Sequence, residues 1–306
     1  MGLSFSTLLN ALPGNLAQGT IWGIMALGLY ISFRLLDFSD LTVDGSFATG
    51  GAVAVMLIVS GCPTWLAMVA ALVAGMLAGL ITGLLHTKLG IAPILSGILT
   101  QIALYSVNLH ILGNKANLAV SVDKFRLLLS LRNATGAILT ALVFAGVLIA
   151  LFYWFFGTEL GSSIRATGAN PRMSTAQGIN IQYTKVLALA LSIGIVAVSG
   201  ALMAQYQGFA DVQMGRGAIV IGLAAVIIGE VIRKTIFRKQ QNFALQLAFV
   251  VIGGILYYAI VGIVLWLRLP TNDLKLFTAI IVALFLAVPN LKKRSSERGG
   301  RKEKKA

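Results

Sequence analysis

Three carboxylates, Asp37, Asp40 and Asp44, lie close together in the sequence LLDFSDLTVDGSFATGG, residues 35–51, between two long apolar runs. Carboxylates are costly to place in such surroundings, so each needs a partner. Near the start of a helix they can cap free backbone amides, or they can line and gate a polar path. We favour capping for Asp40 and Asp44 and keep the path as the alternative. The neighbouring hydroxyls that can share either role are those of Thr42 and Ser46.

A second polar group lies within a later apolar segment. Gln101, Tyr105 and Asn108 are spaced by four and then three residues, so a helix places their side chains on one face. Such a stripe can border a polar path. It can also hydrogen-bond to neighbouring helices, and we slightly favour this second interpretation.

The other reactive residues form no catalytic or metal-binding pattern. Cys62 is the only cysteine, and the histidines, His86 and His110, are far apart in the sequence. The phosphate-binding pattern G-x-x-x-x-G-K-[ST] is absent, and no acid–base pair stands out. We therefore expect no enzyme, no metal site and no cofactor bound by this chain. Glu230 and Arg233, one helical turn apart, are expected to form a local ion pair, and His86 is expected to be solvated.

The composition indicates a membrane protein. Of 306 residues, 58% are hydrophobic and 11% are charged, and the mean hydropathy is +0.88. Average soluble domains carry about a quarter charged residues. The net charge of +14 is concentrated in short loops and in residues 291–306, which indicates contact with anionic lipid. No nucleic-acid motif accompanies these charges, so nucleic acid is not expected as a partner.

Apolar segments of about 20 residues predict the fold class. We expect an all-α polytopic membrane protein of about nine transmembrane helices, with a range of eight to ten. Glycines crowd the starts of the second and seventh crossings, so these two are expected to begin as broken or re-entrant helices. The predicted crossings are about 14–33, 43–60, 64–86, 91–113, 136–157, 184–207, 217–233, 242–266 and 274–290.

Basic residues predict the orientation and the division of the chain. Residues 1–290 are expected to form one transmembrane domain, followed by a basic cytoplasmic tail, 291–306. The connection 157–185 then also lies on the cytoplasmic side, and Cys62 and the N-terminus lie outside. Four basic residues within 114–135 disagree with this orientation, but the segments near the C-terminus outweigh them.

Two short stretches indicate an internal repeat. FSDLTVDGS, residues 38–46, follows the first crossing, and FADVQMGRG, residues 209–217, follows the sixth. The offset is five crossings, an odd number, which predicts an inverted-topology repeat. The same topology places Asp40 and Asp44 near the cytoplasmic mouth, which argues against a binding site at the midplane.

The connection 157–185 is longer than a simple loop requires. It contains a short helical stretch, a Gly-Ala-Asn-Pro break and a second short helix that Gly178 ends. This pattern resembles the cytoplasmic coupling segment of ABC-importer permeases of the branched-chain amino acid and ribose type. The matching residues are Leu160, Gly161, Ile164, Arg165, Ala166, Gly168, Asn170, Pro171, Ala176, Gly178, Ile179 and Asn180.

The resemblance extends from about residue 14 to 290. MGRGAIVIGLAAVIIGEVI, residues 214–232, is similar to a glycine-rich stretch of the family, although Glu230 stands where a glycine is usual. Asp37 replaces an asparagine of the family pattern, and Asp40 and Asp44 are additions. These departures resemble a divergent subgroup that is proposed to carry aromatic amino acids.

The resemblance implies a permease subunit that imports a small solute, an aromatic or branched-chain amino acid, by ATPase-driven alternating access. The implied partners are ABC ATPase subunits that hold ATP and Mg²⁺, an extracytoplasmic substrate-binding lipoprotein and a second permease copy. The implied location is a bacterial inner membrane, where lipid surrounds the chain. An ion-coupled secondary transporter is the alternative, because such proteins also use inverted repeats and broken helices.

Overall fold

The computed structural model describes residues 5–121, 124–125, 127–237 and 242–266, and the single residues Leu276, Ile280 and Ala283. A π-helical turn, Ile31–Leu35, continues the first helix, and a 3₁₀ turn, Leu131–Asn133, precedes the fifth. Strands β1, Asn117–Ala119, and β2, Phe209–Asp211, pair in antiparallel fashion. The α-helices are Phe5–Tyr30 (α1), Val43–Val59 (α2), Thr64–Leu89 (α3), Pro93–Ile111 (α4), Ala134–Gly157 (α5), Glu159–Ala169 (α6), Pro171–Ala176 (α7), Ile181–Gln207 (α8), Ala218–Ile236 (α9) and Phe243–Trp266 (α10).

The all-α polytopic fold predicted from the sequence is confirmed. α2 and α9, the two crossings expected to be broken, each follow a non-helical segment, and we call residues 36–42 and 208–217 the first and second re-entrant segments. The count of about nine crossings stays a prediction, because 274–290 lies outside the described residues except for three single positions. Six stretches of the described chain are long and apolar enough to cross a membrane: Leu12–Leu35, Thr64–Leu89, Pro93–Ile111, Leu131–Gly157, Ile181–Gln207 and Phe243–Trp266.

Of the six candidate spans in the described residues, those of α1 and α8 are the most deeply buried, and the two helices pack against each other. The hydroxyl of Ser192 donates to the carbonyl of Gly28 at 2.7 Å, and the hydroxyl of Ser199 donates to the carbonyl of Ile21 at 2.7 Å. The residue numbers decrease along α1 as they increase along α8. The two helices therefore run in opposite directions.

Glycines bring the other helices of the core close to α8. A Cβ atom on Gly75 of α3 would lie 2.7 Å from the carbonyl oxygen of Ile193, and Gly79 lies against the backbone of Leu189. Gly200 of α8 lies against the backbone carbonyl of Phe47 in α2. Small residues where two helices touch allow close backbone contact. In a membrane this contact holds helices together without a hydrophobic driving force.

The outward faces of the peripheral helices are apolar. α5 exposes Leu139, Val143 and Trp154, with 67%, 58% and 70% of their surface accessible. In water such a surface would be unfavourable, whereas lipid tails match it. The helices thus form a bundle whose periphery fits a bilayer and whose centre is α1 and α8.

Candidate functional site

The two halves of the predicted repeat form the same local turn. The carboxylate of Asp40 accepts a hydrogen bond from the amide of Thr42 at 2.8 Å, and that of Asp211 accepts one from the amide of Gln213 at 2.7 Å. The first copy follows α1 and its π-helical turn, and the second follows α8. Because α1 and α8 are antiparallel, the two re-entrant segments start at opposite ends of the bundle. The repeat is therefore inverted.

The second re-entrant segment meets the start of α2 at Asp44, in the first turn of that helix. Its carboxylate accepts hydrogen bonds from the amides of Gly217, at 2.9 Å, and Ile219, at 3.0 Å. Gly215, which aligns with Asp44 in the repeat, lies against the backbone carbonyl of Asp44. Asp44 thus caps the start of α9, whereas we had expected it to cap the start of its own helix.

This contact corrects the expected depth of Asp44. Segments that start at opposite ends of the bundle can touch only in its interior. The amide of Asn108, in α4, donates to the carbonyl of Gly45 at 3.3 Å, and a Cβ atom on Gly45 would lie 3.2 Å from the Cα atom of Gln101. Gln101 is near the middle of α4. Asp44 therefore lies inside the bundle, whereas we had expected it at the end where α1 leads into α2.

A cavity of about 330 Å³ adjoins this junction. Its walls come from the start of α2, one face of α4 and the end of the second re-entrant segment, and they include the apolar side chains of Ile98 and Ile102. The structure thus brings Asp44 together with the predicted polar stripe of α4. The polar residues that line the cavity are Asp44, Gln101, Tyr105, Asn108, Gln213 and Arg216.

The other predicted path residues lie beside this cavity and not in its lining. Asp40, Thr42 and Ser46 are completely buried. The hydroxyl of Ser46 donates to the carbonyl of Thr42 at 2.9 Å, and the hydroxyls of Thr42 and Thr82 are 2.9 Å apart. These contacts tie the start of α2 to α3. Asp40 thus forms a local turn just before α2, and no side chain of the described residues caps the first turn of that helix.

Residues 157–185 form two short helices, α6 and α7, separated at the predicted Gly-Ala-Asn-Pro break. Asn170 caps α7 by accepting from the amide of Met173 at 3.1 Å, and Pro171 occupies the first turn of that helix. Gly178 has a φ angle of +83°, a conformation in which glycine is favoured, and the chain turns there towards α8. These three residues shape the segment.

The remaining residues of the predicted coupling pattern separate into an inner and an outer group. Gly161 lies against the backbone of Phe155, and Gly168 lies against the carbonyl of Leu35. Ala166 is half-buried, whereas Leu160 and Arg165 are exposed. The guanidinium of Arg165 also lies 6.0 Å from the ring centre of Phe243. The outer group, together with Arg172 and Met173, is the part of the segment that another protein could contact.

Comparison with known proteins identifies the family. A family model described as the permease component of the branched-chain amino acid transport system matches residues 13–289. The chain belongs to this family of ABC-type permeases. The permease is 38% identical over 276 residues to a tyrosine transport system permease protein of Clostridioides difficile (strain R20291), and the match covers 90% of each chain.

A second relative has no assigned role. The permease is 33% identical over 287 residues to an uncharacterized protein of Rickettsia prowazekii (strain Madrid E), which covers 93% of this chain and 99% of the relative. No solved structure matches the permease. The family match confirms the resemblance based on residues 157–185 and 214–232, and it does not favour the secondary-transporter alternative.

Sequence reasoning missed one long-range ion pair of the permease. Arg34, in the π-helical turn, donates to both carboxylate oxygens of Glu230, in α9, at 2.6 and 2.9 Å. Lys234 also approaches Glu230, at 3.5 Å. Only the local charge pattern of α9 was visible in the sequence, because 196 positions separate Arg34 from Glu230.

His86 is another residue whose surroundings differ from those expected. Its Nδ1 atom lies 2.8 Å from the carbonyl oxygen of Ile91, and its Nε2 atom lies 3.1 Å from the Nζ atom of Lys185. The ring also packs edge-on against Phe38, at 5.1 Å between centres. The expectation of a solvated histidine was therefore wrong, since His86 links the end of α3 to the start of α8.

Proposed function

We propose that this permease imports an aromatic amino acid and that the cavity at Asp44 is part of its path. The observation that carries the proposal is the presence of a carboxylate, a guanidinium and a phenol, from Asp44, Arg216 and Tyr105, around one cavity. A free amino acid presents an ammonium and a carboxylate, which pair with Asp44 and Arg216. An aromatic side chain adds a ring that can pack against Tyr105. The name of the Clostridioides relative, which specifies tyrosine, supports the same class.

The exposure of the cavity supports a second permease copy as a partner. Arg216 and Gln213 are exposed in the single chain, and 48% of the surface of Tyr105 is accessible. A guanidinium is costly to expose to lipid tails. A second copy that covers this side would remove the polar groups from lipid and join two cavities into one path.

The exposed side of α6 and α7 supports an ATPase as a second partner. Leu160 and Met173 expose 46% and 59% of their surface, and Arg165 and Arg172 lie among them. Apolar side chains surrounded by basic ones form a surface suited to protein contact. ATP and Mg²⁺ would bind to this partner, and the permease itself would be a non-catalytic subunit that binds no cofactor.

The remaining assignments follow from charge and from the importer class. The basic residues 291–306 favour a cytoplasmic C-terminus in a bacterial inner membrane. Import then requires an extracytoplasmic binding protein, in this class a lipoprotein, to deliver the amino acid at the opposite end of the bundle.

Uptake measurements test the path. The permease is expressed with its ATPase and binding protein in cells that lack tyrosine uptake, and radiolabelled tyrosine, phenylalanine and leucine are compared. We expect saturable uptake of tyrosine with competition by phenylalanine. Arg216→Gln and Tyr105→Leu should each reduce uptake at least about tenfold, which corresponds to about 1.4 kcal/mol. Arg216→Lys should retain part of it, because lysine keeps the charge but not the planar fork.

Tyr153→Leu is the matched control, since Tyr153 is 57% exposed on α5, away from the cavity. Normal uptake by folded Arg216→Gln and Tyr105→Leu variants would show that the cavity is not part of the path. Equal uptake of leucine and tyrosine would reject aromatic selectivity but leave amino acid import intact.

A further inference from the structure

Asp40 is an ionisable residue whose charge has no evident counterpart. Its side chain is completely buried, and one carboxylate oxygen accepts from the amide of Thr42 at 2.8 Å. The other carboxylate oxygen, Oδ2, is buried and has no hydrogen-bond partner. A buried carboxylate is strongly disfavoured unless a positive charge or further donors surround it. The arrangement is therefore incomplete as it stands.

The turn formed by Asp40 leads directly into a chain of three buried threonine hydroxyls. The hydroxyl of Thr42 is 2.9 Å from that of Thr82, which donates to the hydroxyl of Thr100 at 2.9 Å. Thr82 belongs to α3 and Thr100 to α4, so three parts of the chain contribute. Thr100 directs its proton to the carbonyl of Ser96 at 3.0 Å and accepts the proton of Thr82, which leaves one lone pair of its oxygen available.

α4 lies directly against the carboxylate. A Cβ atom on Gly97 would be 3.2 Å from the Oδ1 atom of Asp40 and 2.6 Å from the amide nitrogen of Leu41. The absence of a side chain at Gly97 thus allows the first re-entrant segment to approach α4. The carboxylate is held where α3, α4 and the start of α2 converge.

The second half of the repeat provides an internal comparison. Asp211 forms the same turn as Asp40, but its side chain is half-exposed. Water can therefore solvate the carboxylate of Asp211, whereas the burial of Asp40 prevents this. The turn alone does not require a buried charge, so the burial of Asp40 needs its own explanation.

We propose that Asp40 and the hydroxyls of Thr42, Thr82 and Thr100 bind a dehydrated monovalent cation, with Na⁺ as the ion to test. Carboxylate and hydroxyl oxygens are ligands of hard cations, and one carboxylate among neutral oxygens balances a single positive charge. In membrane transporters, Na⁺ is bound by unwound backbone and by the C-terminal ends of broken helices, and Asp40 follows the C-terminal end of α1 and its π-helical turn. The cation lies beside the cavity at Asp44 and fastens the start of α2 to α3 and α4.

Thermal unfolding of the purified full-length permease in detergent tests the site. NaCl, KCl, LiCl and choline chloride are compared at the same ionic strength and pH. We expect the Tm to rise by about 4 °C in a saturable way with NaCl relative to choline chloride, because the cation binds only the folded chain. A Tm that is the same in all four salts would overturn the proposal. A Tm that responds to pH alone would do the same, since it would mean that the carboxyl group is protonated.

Two pairs of variants locate the effect. Asp40→Asn should lose the response to Na⁺, whereas Asp211→Asn, which alters the equivalent turn, should keep it. Thr100→Val should weaken the response, and Thr100→Ser, which retains the hydroxyl, should preserve it. If Asp40→Asn does not fold, the Thr100 pair decides. A full response in Asp40→Asn or in Thr100→Val would place the cation elsewhere and contradict the site. This stability measurement is independent of amino acid uptake.

Discussion

The carboxylate of Asp44 accepts a hydrogen bond of 2.9 Å from the amide of Gly217, which lies 173 positions later in the sequence. This bond joins the first turn of α2 to the start of α9, the two helices that follow the inverted segments. A carboxylate is favoured at this place because free amides and the positive end of the helix dipole face it. The residue that lines the cavity therefore also fixes how the two broken helices meet.

Neutralising Asp44 tests both roles. Asp44→Asn keeps one acceptor oxygen, so we expect a loss in stability of about 1 kcal/mol, and Asp44→Ala should lose about 2 kcal/mol. Thermal unfolding of the purified variants measures this loss. Both variants should also lose most amino acid uptake, because neither pairs with an ammonium group. An Asp44→Asn variant that loses stability but keeps full uptake would show that the carboxylate only caps α9.

The ion pair between Arg34 and Glu230 predicts a coupling between the two halves of the chain. Glu230 exposes 10% of its side chain and Arg34 exposes 53%, so the bond is only partly shielded from solvent. A double-mutant cycle with Arg34→Ala and Glu230→Gln should give a coupling free energy of about 1 kcal/mol. Chemical unfolding of the four proteins measures it. Lys234→Ala is the control, since its contact with Glu230 is longer, and it should change stability by less than about 0.5 kcal/mol.

The sequence was sufficient for features that depend on local patterns. Apolar length predicts the all-α membrane fold, and the run Gly-Ala-Asn-Pro predicts the break between α6 and α7, because these signals act over short stretches of chain. Contacts between distant positions could not be predicted from the sequence. The capping of Gly217 by Asp44 and the pairing of Arg34 with Glu230 depend on how antiparallel halves pack. A single sequence carries no periodic pattern that predicts a contact between residues so far apart.

The cavity lining shows the same limit. The spacing of Gln101, Tyr105 and Asn108 predicts a shared helix face, and the structure has these residues on one cavity. Gln213 and Arg216 were missed, although they lie in the repeat that the sequence revealed. In the alignment of the two repeat copies, Arg216 is next to Gly215, the position equivalent to Asp44. This alignment was the signal from which Arg216 could have been predicted.

Close backbone contact at α8 predicts that Gly200 cannot accept a side chain. A Cβ atom there would overlap the carbonyl of Phe47, so Gly200→Ala should lose about 2–3 kcal/mol or fail to fold. Gly146→Ala, in α5, is the matched control because no atom lies within 4 Å of its added Cβ atom. That variant should be neutral or gain up to about 1 kcal/mol from helix propensity. Thermal unfolding compares the two, and equal stability would contradict the packing at Gly200.

The outer surface of α6 and α7 predicts where the ATPase binds. Arg165→Glu and Leu160→Glu should reduce copurification of the ATPase at least about tenfold, since both side chains are exposed on that surface. The Tm of the permease should change little. Lys115→Glu makes the same change in charge at an exposed residue near β1, and it should leave ATPase binding intact. A full complement of ATPase on both α6 variants would mean that α6 is only a connector.

The single thiol tests the orientation of the permease. Cys62 is in the turn between α2 and α3, and α3 packs antiparallel to α8 with Gly83 near Val186 and Gly75 near Ala197. Cys62 therefore lies at the opposite end of the bundle from α7. A membrane-impermeant maleimide should label Cys62 in intact spheroplasts. A Cys62→Ser variant that carries Thr175→Cys, exposed on α7, should be labelled only after permeabilisation. The reverse labelling pattern would show that the permease has the opposite orientation, in which α7 could not contact a cytoplasmic ATPase.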